Sequence, residues 1–172
     1  MKFDIKYSSD YELKRVVWTL NQLDWYYNNG YKPKLPQNIT KDCTEREISE
    51  AIKAEYDDKD YKIASKKLRA EFSKIQKDFF SKLKEKFKTE TIIPNLEIIL
   101  TKYGTGGSYH SPKTAVVNID RKNILEVALH EIVHLFAEPT VQKQKMSHWE
   151  KEKFVESIMA EICTTNNKKI RC

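Results

Sequence analysis

The sequence predicts an α+β fold: a helical N-terminal half, then a small antiparallel or mixed sheet followed by two helices. Three observations carry this reading. Residues 1–90 hold apolar side chains at helical spacing, interrupted by a proline-containing linker. From Ile92 the pattern shortens to two apolar runs of strand length with a glycine-rich turn between them. The run His130-Glu131-Ile132-Val133-His134 then sets two imidazoles four positions apart, on one face of a helix.

The elements follow in order. Ser9-Asp10-Tyr11-Glu12 opens a helix on which Val16, Val17, Leu20, Leu23 and Trp25-Tyr26 recur, and Gly30 closes it. Lys32-Pro33-Lys34-Leu35-Pro36 is a turn or linker, because two prolines so close forbid a helix. Thr44 and Glu47 form a capping box that starts a second helix, through about Tyr56. Apolar positions from Ile63 to Phe87, including Leu68, Phe72, Phe79, Phe80 and Leu83, mark a long helix starting at about Asp60. Residues 96–100 and 115–120 read as strands, with Gly104-Thr105-Gly106-Gly107-Ser108 as a flexible turn between them. Ser147 and Glu150 cap a last helix whose buried stripe is Phe154, Val155, Ile158, Met159 and Ile162. The chain thus divides into a helical region, residues 1–90, able to belong to the same domain, and a catalytic core, residues 91–172.

With 172 residues the chain is long enough to bury a real core. Its net charge of +6 comes largely from lysines spread along helices, such as Lys66-Lys67, Lys82, Lys84, Lys86 and Lys88. A solvated helix face explains them better than a nucleic-acid interface, since arginines are few and no basic-aromatic module is present. No apolar stretch approaches the length of a membrane span, and residues 1–10 lack the apolar core of a signal peptide. Cys43, Cys163 and Cys172 are too widely spaced for a disulfide framework or a zinc knuckle. They read as reduced thiols, which points to the cytoplasm and to no membrane partner.

The chemistry lies in the motif helix. His130 and His134 can hold one zinc ion, and Glu131 can accept a proton from water without ligating the metal. The flanks Val127-Ala128-Leu129 and Leu135-Phe136 are uncharged, as a buried helix requires. Catalytic zinc takes a third protein ligand and keeps an open position. Glu156 is the foremost candidate, a carboxylate beside the apolar stripe that needs a partner. His148 and Glu161 are alternatives, and Glu161 can instead accept a hydrogen bond from a ligating histidine.

On these residues the chain resembles zincin metallopeptidases, and among them the minimal single-domain gluzincins. The likeness covers roughly residues 92–165, and no His-x-x-Gly-x-x-His continuation of the other large group is present. It implies a zinc-dependent peptidase: His130, His134 and Glu156 as ligands, Glu131 as general base, the strand before the motif helix as a sheet edge over the cleft, and a peptide or protein substrate bound there along residues 113–118. Larger gluzincins stabilise the oxyanion with a later histidine or tyrosine; residues 164–172 contain neither, so Tyr109, His110 and Tyr103 are the options. Two alternatives stand beside this: a non-catalytic zincin-fold binding module, or a SprT-type DNA-associated protease with His148 as third ligand.

Overall fold

The helices begin where the sequence offers their backbone a partner. In the computed structural model, which describes residues 3–88, 93 and 95–164, the Ser8 hydroxyl accepts the Tyr11 amide at 3.2 Å and starts α1 (Ser9–Asn21). Ile92 and Cys172 lie outside the described residues. The single helix expected up to Gly30 is two, because Gln22 leaves helical geometry before α2 (Leu23–Asn28) begins. The capping box of Thr44 and Glu47 forms and starts α3 (Glu45–Glu55). Asp57 caps α4 (Asp58–Phe87), which runs 30 residues and stops at Lys88 in the left-handed region.

The sheet has four strands, β1 (Phe3–Lys6), β2 (Leu96–Thr101), β3 (Gly107–His110) and β4 (Thr114–Asn118), in the order β1-β2-β4-β3. It is mixed: β1 and β4 run parallel to β2, and β3 is antiparallel to β4. Strand β1 departs from the helical reading of residues 1–90. It has four residues, of which Ile5 alone is fully buried, so no alternation long enough to register is present. The strand at the cleft also differs. Residues 114–118 are central, between β2 and β3, and the edge on that side belongs to β3, whose first two residues fall in what reads as a flexible turn.

Helix α5 (Ile124–Gln144) is capped by Asn123, whose side chain accepts the Glu126 amide at 3.2 Å. Helix α6 (His148–Thr164) starts from Ser147, which is bonded reciprocally to Glu150. One core joins α4 to the sheet and to these two helices: Phe72, Phe80 and Leu83 pack with Ile98, Val117, Ile132 and Ile158. Each such side chain contributes roughly 1.5–3 kcal/mol on burial. The hydrophobic interior therefore crosses the boundary drawn at residue 90. A smaller cluster of Val16, Leu20, Ile48, Ile52 and Tyr103 seats α1 against α3.

A fully buried carboxylate ties the layers. Glu12 accepts the Lys102 amide at 2.7 Å and the hydroxyls of Tyr61 and Thr101, so α1, α4 and β2 share one polar knot. Cys43 is a free thiol, whereas Cys163 is disulfide-bonded, against the reading of the cysteines as reduced. Among the described residues no helix is long and apolar enough to cross a membrane.

Candidate metal centre

Helical spacing brings the two motif histidines to one point. Their Nε2 atoms lie 3.0 Å apart, and Oε2 of Glu152 is 3.4 Å from each. Among the described residues these three form a group able to hold a metal ion, with ligand atoms within 4.8 Å of one another. A zinc tetrahedron with bonds of about 2.0–2.1 Å has edges of about 3.3 Å, so the three spacings suit that ion. His134 is 3% exposed and Nδ1 of its ring has no hydrogen-bond partner. Burial lowers the pKa of His134. His130 is also pushed down by burial, but its hydrogen bond to Glu152 and the neighbouring carboxylates raise it overall. Burial works against ionisation of Glu152 as well, yet the two histidines hold it well below the usual carboxylate range.

The third member corrects the expectation from sequence. Glu156 is exposed on α6, and Glu152, one turn earlier, faces the histidines. The buried face of α6 is set by Val155, Ile158, Met159 and Ile162. At 100° per residue, Glu156 lies about 110° from the centre of that face and Glu152 about 70°, so only Glu152 borders it. Glu161 is exposed and pairs with Lys86. His148 stands at the rim, with Nε2 at 2.9 Å from the Tyr31 hydroxyl and Nδ1 at 3.7 Å from Glu152. It flanks Glu152 instead of joining the group.

Glu131 points to the other side of the histidines, 7% exposed, against β3. Gly107 makes room for it: a Cβ there would strike the Glu131 carboxylate and sit 2.8 Å from Val127 Cγ1. Burial pushes the Glu131 pKa up to about 7, while the charges of His130, Arg15 and Lys151 pull in the opposite sense.

Strand β3 forms the upper lip. The Asn118 amide bonds the Gly106 carbonyl at 3.0 Å, so Gly106, Ser108 and His110 turn their backbone groups toward β4. Gly107 and Tyr109 present theirs to the open edge, with the Gly107 carbonyl also accepting the Thr105 hydroxyl at 3.2 Å. Side chains alternate accordingly. Tyr109 stacks on His134 at 4.7 Å between ring centroids, and its hydroxyl donates to Glu138 at 2.6 Å. Burial and that carboxylate raise its pKa. His110 turns to the opposite face and meets Trp18 edge-on at 5.7 Å. Tyr103 is buried and donates to Glu55 at 2.9 Å. Between β3, α5, α6 and the aromatic residues of α1 and α2 lies a cleft of about 640 Å³, into which Glu131, His134 and Glu152 open.

Two contributors carried no signal in the motif. Tyr31 and the aromatic residues of α2 come from the helical half, and only tertiary packing brings them to the cleft. No family model, curated protein or solved structure matches the chain.

Proposed function

We propose that this chain is a zinc-dependent metallopeptidase of gluzincin-like kind, with His130, His134 and Glu152 as ligands and Glu131 as general base. The supporting observation is a His-His-Glu group at tetrahedral spacing, beside a buried carboxylate and beneath an open strand edge. Zinc, when bound, supplies a Lewis acid that polarises the scissile carbonyl and lowers the pKa of a coordinated water towards about 7.

This chain's residues do the rest. An extended peptide bonds to the outward backbone groups of Gly107 and Tyr109 as an added strand. Glu131 takes the proton that water loses as its oxygen joins the carbonyl carbon. It passes that proton to the amine nitrogen as the C–N bond breaks. Burial favours the protonated form of Glu131, which suits a group that must hold the proton between the two transfers. Lys151, whose Nζ lies 3.4 Å from the Tyr109 hydroxyl on the cleft wall, offers a cation for the developing oxyanion, since that hydroxyl already donates to Glu138.

The test is hydrolysis of casein and of a quenched peptide mixture by the zinc-loaded protein. Cleavage that stops with a chelator and returns with zinc is expected. A protein that binds zinc stoichiometrically and cuts nothing would instead be a non-catalytic binding module.

A further inference from the structure

The three tryptophans of this chain are exposed; Trp18 and Trp25 line the cleft, and Trp149 stacks on Tyr31, which also lines it. Trp18 is 39% exposed, Trp25 42% and Trp149 53%. They are linked through two tyrosines into one band. Centroid steps are 6.1 Å from Trp18 to Tyr26, 5.4 Å from Tyr26 to Trp25, 5.9 Å from Trp25 to Tyr31, and 6.1 Å from Tyr31 to Trp149. Trp25, Tyr31 and Trp149 lie nearly parallel, tilted by 14° and 13° at the two steps. The band joins α1 and α2 to the start of α6, and His148 is nested among its last three rings.

Holding helices together does not require this arrangement. Rings used only as internal packing bury their faces, and an indole is among the largest apolar surfaces a chain can cover. Here each indole leaves more than a third of its surface in water, two of them on the wall of a cleft whose floor is polar and the third stacked beside it on Tyr31. Clustered apolar exposure of this kind marks a binding surface. The band itself carries no charged side chain, and Asp24, beside Trp25, is paired with Lys41 at 2.6 Å. Arg15 stands 5.2 Å from the Trp18 ring at the α1 end, and the remaining rings offer a ligand apolar and cation–π contact. The same cleft offers the outward backbone groups of Gly107 and Tyr109, which suit an extended strand. Alternate side chains of such a strand are about 6.6 Å apart, close to one ring-to-ring step.

Resting on the peptidase reading, we infer that the aromatic band is the specificity wall of the site. It selects extended peptides that carry aromatic or large aliphatic side chains at alternate positions beside the scissile bond. Trp25, at the middle of the band, and Trp149, at its α6 end, are its two most exposed indoles and serve as its anchors.

The experiment uses the full chain with Glu131→Gln, loaded with zinc, so that binding is read without turnover. Two blocked hexapeptides of equal charge serve as probes, one with Leu and Phe at alternate positions and one with Ser there. Binding, followed by tryptophan fluorescence and calorimetry, should be about tenfold or more tighter for the apolar peptide. Trp25→Ala and Trp149→Ala should each remove most of that preference. Ile63→Ala, exposed on α4 outside the cleft lining, should leave it unchanged. Trp25→Gln and Trp149→Gln serve where an alanine protein does not fold. Equal affinity for the two peptides, or a preference that survives both replacements, overturns the inference. Tryptophan-dependent binding of a chito-oligosaccharide in place of the peptide does so too, and makes the band a sugar platform. Cleavage of the apolar peptide by the unsubstituted protein is measured in parallel. Tryptophan-dependent binding without cleavage keeps the wall and removes the peptidase; cleavage without discrimination does the reverse.

Discussion

Gly107 has no room for a side chain, because the carboxylate of Glu131 and the Val127 methyl occupy the space a Cβ would need. Gly107→Ala must therefore displace Glu131 or push β3 outwards. The expected result is a loss of turnover of about 100-fold with zinc content retained, checked by metal analysis beside peptide cleavage. Glu131→Gln removes the proton carrier and keeps the packing, so kcat should fall about 10²- to 10⁴-fold with zinc bound as before. Activity within tenfold of the original would take Glu131 out of the base role. Glu152→Gln should weaken zinc by about 100-fold or more in a competition titration, whereas Glu156→Gln should leave it unchanged. The meeting of the two histidines was legible from spacing alone, because a helix fixes what lies at i and i+4, whereas the buried place of Glu131 against β3 comes from the fold. Glu152 was not. Its place depends on which edge of α6 meets α5, and neighbouring carboxylates at 150, 152 and 156 look alike until the helices are packed.

At the scale of elements, the sheet is held at β2 by a charged clasp. Glu97 Oε1 lies 3.0 Å from Nζ of both Lys6 and Lys113, which joins β1 and the start of β4 to β2. Hydrogen bonds from Lys113 and then Lys6 lower the Glu97 pKa. A carboxylate with a depressed folded-state pKa stabilises the fold above its unfolded value, and that stability disappears as pH falls through the folded value. Glu97→Gln should flatten the stability profile below about pH 4.5, as read by urea unfolding at several pH values, with the effect reduced in high salt. Thr44→Ala, which opens the α3 capping box, should cost about 1 kcal/mol in the same assay. The long helices were readable because many apolar residues repeat over several turns. The short strands were not: β1 has one buried residue, and β3 contains a glycine and takes its strand form from pairing with β4.

For the molecule as a whole, the His-His-Glu group draws on α5 and α6 while the cleft wall draws on α1 and α2, so a ligand bound there would be coupled to the global fold. Zinc at about 100 times its dissociation constant should add about 2.7 kcal/mol, or roughly 5–10 °C in the thermal midpoint. A chelator should reverse the gain, and His134→Ala should abolish it; an unshifted midpoint in the unsubstituted protein would remove the metal centre. The α+β class could be read from the change of period along the chain, but the joining of its two halves could not, because a sequence pattern does not state which faces meet. That joining also sets a schedule. Phe3 is paired with Leu96, 93 positions later (96 − 3). On a chain growing at about 5–20 residues per second, β1 waits about 5–20 s for its neighbour. Glu152 emerges later still, on the last helix. The candidate ligand set is consequently complete only after the sheet that roofs it has had its partners made.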